Sequence, residues 1–414
     1  MGWADWFGLG DESKLATAAW DGDLDTAAIL LERQVHPDAS KLGYPALFNA
    51  AASNSTLIAE LLIHHGADVD KCAWFEMTPL MAAVSKGHIR LVQVLLTAKA
   101  NVDQPDSWGA TPLFRAAECG NKEMVKRLMQ AHANLNACDY HNRTPLFVAI
   151  LQGHVEIAQL LINSRANSNI ANKDGVSPLM LAMAAEMKEV VKLLIDKGTD
   201  INLVNKVKTF NNTLLMDGES VLLQAIKLNN PEIVDALLNA GADVKKTTPD
   251  GSSPLLVATE RGLAQIVHSL LGYNANVHQC DNKGDFALLA AARNGYSQVA
   301  ELLLVANANT QMSNQNGEFP LYVAAMNGHE MCVELLLTYY ADTNQTTNNG
   351  FTPLLQAADK GYAQIVRILL HANADPNLVT PLGDSALLAA TEHGHIEIVN
   401  DLIAFQVNVN HCNK

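Results

Sequence analysis

The fold is decided by a 33-residue stretch that occurs twice in succession. It reads TPLFRAAECGNKEMVKRLMQAHANLNACDYHNR at residues 111–143 and TPLFVAILQGHVEIAQLLINSRANSNIANKDGV at residues 144–176. The leucine of its TPL element recurs at a spacing of 33 residues, with one step of 32 and one of 43. It stands at Leu15, Leu47, Leu80, Leu113, Leu146, Leu179, Leu222, Leu255, Leu288, Leu321, Leu354 and Leu387. Twelve repeats therefore cover nearly the whole chain, and a fixed period of this length indicates a repeat architecture.

Each repeat carries the residues expected of two short helices. A Thr-Pro or Ser-Pro pair opens it, because the hydroxyl caps a helix and proline fits the first helical position. Glycine seven residues after the leucine, as at Gly87 and Gly120, favours a left-handed end to the first helix. A second amphipathic stretch and a turn-forming segment complete the repeat. Because such a helix pair can bury its apolar stripe only against its neighbours, the repeats are predicted to stack.

This pattern resembles the ankyrin repeat over roughly residues 13 to 410. The resemblance implies an all-α ankyrin-repeat α-solenoid of stacked helix-turn-helix units, with hairpin-like fingers along one edge and a concave face lined by the first helices. The chain departs from the family pattern because no TPL element is followed by histidine. The glycine that usually ends the second helix is also often replaced, for example by Arg165 and Tyr340. Since these residues tolerate left-handed backbone poorly, we expect weaker helix ends there.

The repeat pattern also sets the predicted domain boundaries. Residues 1–12 form an N-terminal cap segment, and residues 13–414 form one ankyrin-repeat domain of about twelve repeats. The last repeat keeps a fully apolar pattern. We therefore expect that its end stays partly exposed, or that the native chain continues beyond Lys414.

The 43-residue step places a ten-residue insertion near residues 205–215. Insertions in repeat arrays often lie on the binding face. This one carries Lys206, Lys208 and Phe210, which makes it a basic, aromatic loop on an acidic protein. We interpret these three residues as candidate partner contacts, and the alternative is an elongated finger without a partner.

Charge and cysteine usage restrict the partners and the compartment. The chain has 28 basic and 43 acidic residues, a net charge of −15, and no basic cluster. Nucleic acid and anionic membrane are therefore not expected partners, and no apolar run is long enough for membrane insertion. The six cysteines lie too far apart in the predicted stack for disulfides. We expect a monomeric protein with free thiols in the reducing cytoplasm.

No catalytic motif stands out in the sequence. The recurring histidines, such as His88 and His154, always follow the mid-repeat glycine, and this placement favours a structural role. No zinc-protease helix, phosphate-binding glycine loop or nucleophile elbow occurs. The sequence therefore predicts no enzyme, no cofactor and no metal site, and an enzyme hidden within the repeats remains a distant alternative.

The candidate site lies on three successive fingers. The resemblance implies that partners contact the finger tips and the exposed ends of the first helices. Those positions in repeats three to five are Trp74, Phe75, Met77, Lys86, Ser107, Trp108, Glu118, Tyr140, His141 and Arg143. Aromatic residues and arginine dominate interface hot spots, whereas repeats nine to eleven carry polar residues at these positions. We therefore favour the N-terminal half as the contact surface, and the alternative is that Trp74 or Trp108 packs on the base of its own finger.

The resemblance also bears on the asparagines that close each repeat, such as Asn136 and Asn169. They resemble sites of asparaginyl hydroxylation, although we favour a structural role in the turn. The chain is predicted to be a scaffold or adaptor that binds partner proteins through its concave face and finger loops. The alternative is the targeting or substrate-recognition part of a larger protein, for example a bacterial effector in the host cytosol or an enzyme with a missing C-terminal domain.

Overall fold

The computed structural model describes residues 10–203 and 219–409. The chain divides into two compact units, Met1–Asp217 and Gly218–Lys414. Each unit contains six consecutive helix pairs in its described part, so the predicted all-α repeat solenoid is confirmed.

The first unit carries the first twelve helices. They are α1 (Asp11–Asp21), α2 (Leu24–Glu32), α3 (Ala46–Ser53), α4 (Thr56–His64), α5 (Pro79–Lys86), α6 (Ile89–Thr97), α7 (Pro112–Glu118), α8 (Lys122–Gln130), α9 (Pro145–Leu151), α10 (Val155–Asn163), α11 (Pro178–Ala184) and α12 (Lys188–Asp196). Two short antiparallel strands, β1 (Ser40–Lys41) and β2 (Tyr44–Pro45), form the second finger, and a 3₁₀ turn (Trp74–Glu76) forms the third. Because α1 begins at Asp11, the last two residues of the predicted cap segment belong to the first helix.

The described part of the second unit repeats the alternation of first and second helices. Its helices are α13 (Val221–Lys227), α14 (Pro231–Asn239), α15 (Pro254–Glu260), α16 (Ala264–Gly272), α17 (Ala287–Asn294), α18 (Ser297–Val305), α19 (Pro320–Met326), α20 (Glu330–Thr338), α21 (Pro353–Lys360), α22 (Ala363–His371), α23 (Ala386–Glu392) and α24 (Ile396–Ala404). Within each unit the first helices of successive repeats pack on one another in chain order.

Local capping explains where the helices begin and end. The Thr78 hydroxyl accepts a hydrogen bond from the backbone N–H of Met81 at 3.2 Å, and Pro79 occupies the first helical position. Helix α5 then ends at Gly87, whose φ of 78° lies in the left-handed region. The same left-handed geometry is held at the end of the second helices by Arg165 and Tyr340, with φ of 66° and 59°. Helices α10 and α20 keep the usual nine residues, so the expected weakening there stays a prediction about stability.

The repeat leucines form the core of each stack. Eleven of the twelve, from Leu15 to Leu354, are at most 1% exposed, and full burial of a leucine contributes about 1.5–3 kcal/mol. Leu387 in the last repeat is only half-buried. Ile396 and Ile403 in the same repeat are 73% and 51% exposed, so the end of the described stack is partly uncovered.

The asparagines that close several of the repeats link neighbouring repeats within each unit. The Asn136 Oδ1 atom accepts a hydrogen bond from the backbone N–H of Asn167 at 2.7 Å, and Asn169 Oδ1 accepts one from Asp200 at 2.8 Å. Asn344 and Asn377 do the same in the second unit. These hydrogen bonds support the structural role that the sequence favoured for these side chains.

The periodic histidines also link neighbouring repeats. His154 Nε2 donates to the Glu118 carbonyl oxygen at 3.1 Å, and His395 Nε2 donates to the Asp359 carbonyl oxygen at 3.2 Å. Each imidazole covers the mid-repeat glycine of the preceding repeat. For example, a Cβ atom on Gly120 would lie 2.6 Å from His154 Cε1. The glycine is therefore needed both for its backbone angle and for the close approach of the next repeat.

Candidate partner-binding surface of the first unit

A buried carboxylate organises the base of two of the three aromatic fingers, Asp106 in one and Asp139 in the next. Asp106 is fully buried, and its Oδ1 atom accepts hydrogen bonds from the backbone N–H groups of Trp108 (2.9 Å) and Ala110 (3.0 Å). Its Oδ2 atom accepts two hydrogen bonds from Arg115, at 2.6 and 3.1 Å. Burial alone would lower the pKa of Arg115, but the hydrogen bonds to Asp106 and Glu118 raise the pKa overall. The finger is thus held rigidly by a charged hydrogen-bond network.

Phe75 and Trp108 stack on each other across two neighbouring fingers. Their ring centroids lie 5.2 Å apart with an interplanar angle of 29°, a geometry typical of attractive aromatic pairs. The backbone N–H of Ser107 donates to the Phe75 carbonyl oxygen at 2.9 Å, which fixes the fingers relative to each other. The Arg115 guanidinium lies 5.6 Å from the Trp108 ring centroid. The two rings remain 59% and 49% exposed, so the stack presents an aromatic face to solvent.

Trp74 and Tyr140 each lean on the finger that precedes them. The Trp74 indole N–H donates to the Leu42 carbonyl oxygen at 2.6 Å, and its ring covers Gly43. Tyr140 lies against Gly109, because a Cβ atom there would be 2.9 Å from Tyr140 Cδ1. Trp74 therefore packs on the preceding finger, whereas Trp108 contacts both Phe75 of the preceding finger and Arg115 at the base of its own. Trp74, Phe75, Trp108 and Tyr140, named here the aromatic row, are exposed rings on three successive fingers.

A shallow cleft of about 390 Å³ lies at the C-terminal end of the aromatic row. It brings together four of the predicted residues, Trp108, Tyr140, His141 and Arg143. Arg143 is held over the Phe114 ring at 5.6 Å and paired with the buried Asp139 at 2.6 Å. Its positive charge is therefore already paired, and the cleft combines the rings of Trp108, Phe114 and Tyr140 with the charged side chains of Arg115, Asp139 and Arg143.

Met77 and Lys86 lie in a different recess from the aromatic row. This recess, named here the hairpin pocket, has a volume of about 440 Å³. Its lining residues are Ala16, Thr17, Trp20, Lys41, Leu42, Tyr44, Phe48, Asn49, Ala52, Met77, Ala82, Ser85 and Lys86. Trp20, Leu42 and Tyr44 are exposed there by 56%, 80% and 39%. The sequence did not point to these three residues, because Leu42-Gly43 lacks the Asn-Gly or Asp-Gly pair that signals a two-residue hairpin.

The remaining predicted residues have less distinctive positions. Ser107 is half-buried on its finger, and Glu118 is paired with Arg115 at 2.7 Å. Lys206, Lys208 and Phe210 lie outside the described residues. The predicted site therefore divides into the aromatic row with its cleft, the hairpin pocket and an inserted segment without a structural account.

The fingers of the second unit use the same positions differently. Gln315 Nε2 donates to the Asn282 carbonyl oxygen at 3.0 Å, and Asn348 Nδ2 donates to the Gln315 carbonyl oxygen at 3.1 Å. These amide side chains link neighbouring fingers instead of presenting apolar surface. The exposed aromatic row is therefore a property of the first unit.

The described residues contain neither a metal-binding cluster nor a membrane-spanning helix. Among them, no group of three or more histidine, cysteine or acidic side chains is arranged to hold a metal ion. Burial raises the pKa of the Cys119 and Cys280 thiols, and it raises that of Cys332 to about 11, which disfavours the nucleophilic thiolate. In the same residues, no helix is long and apolar enough to cross a bilayer.

Comparison with known proteins places these repeats in a family. A sequence model of three consecutive ankyrin repeats matches residues 47–139, 80–172, 113–205, 222–312 and 288–380, and a single-repeat model matches residues 382–414. An ankyrin repeat domain from Acinetobacter baumannii AYE is 30% identical with a TM-score of 0.44, and the match covers 45% of this chain and 98% of that one. The ankyrin repeat protein EF0377 is 26% identical with a TM-score of 0.43, with coverage of 45% and 97%.

Among proteins of curated function, no sequence matches this chain. The repeat models nevertheless match most of its length, in the same register as the capped helix pairs described above. On this evidence the chain belongs to the ankyrin-repeat family.

Proposed function

We propose that this protein is an adaptor that binds partner proteins through the aromatic row and the adjoining concave face of its first unit. Ankyrin repeats generally mediate protein–protein interaction. The observation that carries the proposal is the aromatic row itself, four rings on three successive fingers that are each about half exposed or more. Tryptophan and tyrosine are among the residues that contribute most to binding at protein interfaces.

The rigidity of the fingers supports the same proposal. Backbone hydrogen bonds join Ser107 to Phe75 and Tyr140 to Trp108, both at 2.9 Å, so the rings are ordered before a partner arrives. A preordered surface avoids the loss of loop and side-chain entropy on binding, which otherwise weakens affinity. Catalysis has no comparable support, since raised pKa values at Cys119, Cys280 and Cys332 disfavour the nucleophilic thiolate. The unpaired cysteines of the described chain fit a reducing cytoplasmic compartment.

Joint replacement of Trp74, Trp108 and Tyr140 by alanine tests the proposal. Partners captured by the wild-type protein are identified by mass spectrometry, and each is then purified and titrated against both proteins. We expect the triple variant to lose at least about 30-fold in affinity, which corresponds to one hot-spot side chain. The helical circular dichroism should be unchanged, because the three rings lie outside the repeat core.

A second triple variant provides the matched control. Leu57, Met331 and Tyr340 are 58%, 68% and 89% exposed and lie away from the finger tips, so their replacement by alanine removes similar apolar surface. This control should bind every partner as the wild-type protein does. Full affinity in the aromatic-row variant, or an equal loss in both variants, would refute the assignment of this surface.

The runner-up function is that of a targeting or substrate-recognition part within a larger protein. The same surface would then select the substrate, and the mass of the endogenous protein on a denaturing gel would separate the two possibilities. A band at 44.6 kDa supports the adaptor, whereas a larger band supports the recognition part.

A further inference from the structure

The hairpin pocket is apolar over most of its wall. Helix α1 contributes Trp20, the second finger contributes Leu42 and Tyr44, and α3 contributes Phe48. The Tyr44 and Phe48 rings pack together with centroids 5.7 Å apart. The volume of about 440 Å³ falls within the range of roughly 300–1,000 Å³ found for ligand pockets. The recess is therefore large enough for one or two apolar side chains of a bound segment.

The tip of the second finger has a leucine at a turn position where this residue type is unfavourable. Leu42 and Gly43 form the two-residue loop between β1 and β2, with φ of 54° and 80°. A turn of this kind favours asparagine and glycine, and a branched apolar residue in the left-handed region is strained. Leu42 is also 80% exposed, so almost none of its side chain gains burial in return. Strain that is not offset by burial of the side chain points to a role in binding.

The charged residues that line the pocket are positive, whereas the chain as a whole has a negative net charge. Lys41 and Lys86 line the pocket, and none of its lining residues is acidic. Lys41 Nζ donates to the Thr17 hydroxyl at 3.0 Å, which places the ammonium group at the pocket edge. Within the described ranges, neither lysine is paired with a carboxylate. On a protein of net charge −15, this is a local positive rim around an apolar recess.

We propose that the hairpin pocket binds a peptide segment of a partner protein in which an aromatic or large aliphatic side chain is flanked by acidic residues. The apolar side chain enters between Trp20, Leu42 and Tyr44, and the flanking carboxylates lie against Lys41 and Lys86. This inference rests on the proposed adaptor function and names the chemistry of its partner. It assigns a second contact area, beside the aromatic row, that includes the predicted residues Met77 and Lys86.

Peptide selection on the full chain tests this chemistry directly. Random 12-residue peptides displayed on phage are selected at 0.15 M salt against the wild-type protein and counter-selected against a Trp20→Ala variant. We expect enriched peptides to combine an aromatic or large aliphatic residue with neighbouring Asp or Glu. This enrichment would occur although the net negative charge of the protein should repel acidic peptides. Because Trp20 is 56% exposed, its replacement should leave the fold intact while reducing peptide affinity by at least roughly tenfold.

Charge reversal tests the rim. A Lys41→Glu/Lys86→Glu double variant should lose affinity for the selected peptides and gain affinity for copies in which Asp and Glu are replaced by Lys. Each exposed ion pair changes affinity by up to roughly fivefold, so the reversal should be measurable by fluorescence anisotropy. A preference for acidic peptides that survives the reversal would overturn the assignment of the two lysines.

Leu42→Asn separates binding from stability. Asparagine suits the left-handed turn position, so we expect the melting temperature to rise by about 1–3 °C. The same variant should bind the selected peptides more weakly, because it lacks the apolar side chain at the pocket edge. Lower stability with unchanged peptide affinity would mean that Leu42 serves the fold, and would overturn its role in binding.

Other occupants give distinct results. A dimer in analytical ultracentrifugation that disappears in Trp20→Ala would assign the pocket to a second copy. Residues 1–9 contain Trp3 and Trp6 on either side of Asp5, so a tenfold gain in peptide affinity on deleting residues 2–9 would assign it to the chain's own segment. Either result, or enrichment of basic or purely polar peptides, overturns the partner assignment. Failure of these tests does not change the result expected for the aromatic-row variant, so each proposal can be refuted independently of the other.

Discussion

The contact between His395 and Gly361 predicts how much stability one inter-repeat contact contributes. A Cβ atom on Gly361 would lie 2.6 Å from His395 Cε1. The imidazole must therefore retreat by roughly 1 Å to restore van der Waals contact. It would then lose its hydrogen bond to the Asp359 carbonyl oxygen, now 3.2 Å long.

Gly394 provides a matched position in the last repeat. It has φ of 70°, close to the 78° of Gly361, but no atom lies within 4 Å of a Cβ placed on it. Gly394→Ala should therefore cost only the left-handed backbone penalty of about 1–2 kcal/mol. Gly361→Ala should cost about 1 kcal/mol more, because the inter-repeat hydrogen bond is lost as well.

Urea unfolding followed by circular dichroism measures the free energy of unfolding of each variant. Hydrogen exchange on peptides covering α21 to α24 locates the loss, since the repeats at one end of an array can open locally. In a His395→Ala background, the penalty of Gly361→Ala should fall to that of Gly394→Ala. Equal penalties at the two glycines, or a Gly361 penalty undiminished without the imidazole, would refute the reasoning.

Three further predictions concern stability, pH and reactivity. Tyr340→Gly should raise the free energy of unfolding by about 1 kcal/mol in urea titrations, because Tyr340 holds a left-handed φ of 59° at 89% exposure; no gain would mean that the helix end is unstrained. Burial, and then the charges of neighbouring carboxylates, raise the pKa of Glu260. Glu260 therefore binds its proton more tightly in the folded protein than in the unfolded chain, and the folded state loses stability as rising pH removes this proton. Glu260→Gln should raise the melting temperature at pH 7 but not at pH 3, and an equal rise at both pH values would contradict this. Maleimide should label the exposed Cys119 and Cys280 in the native protein and the buried Cys332 only after unfolding, as mass spectrometry can check, and native labelling of Cys332 would show that its repeat opens.

The sequence was sufficient for the repeat and its capping, because these depend on residues close together in the chain. The hydroxyl of Thr78, the proline after it and the left-handed Gly87 form one local unit, and the structure keeps all three as predicted. The aromatic row could also be anticipated, since the period places Phe75 and Trp108 at equivalent positions of neighbouring fingers.

Contacts that depend on the conformation of one particular finger could not be predicted from the sequence. The second finger departs from the repeat pattern, and its two short strands bring Leu42 and Tyr44 beside Trp20 of α1. Trp74 likewise leans on the preceding finger, because the carbonyl oxygen of Leu42 is the acceptor its indole N–H finds there. The covering of Gly120 by His154 requires the packing distance between repeats, which no spacing in the sequence contains.

The links between neighbouring repeats have a consequence for how the chain is made. The asparagine and histidine hydrogen bonds described above join residues only 31 or 36 positions apart. Short loops close quickly, and folds dominated by such local contacts form fast. A ribosome adds about 5–20 residues per second, so one 33-residue repeat takes about 2–7 s to appear. Each new repeat can thus pack on the preceding repeat while the next one is still being synthesised. Little apolar surface is therefore exposed on the nascent protein.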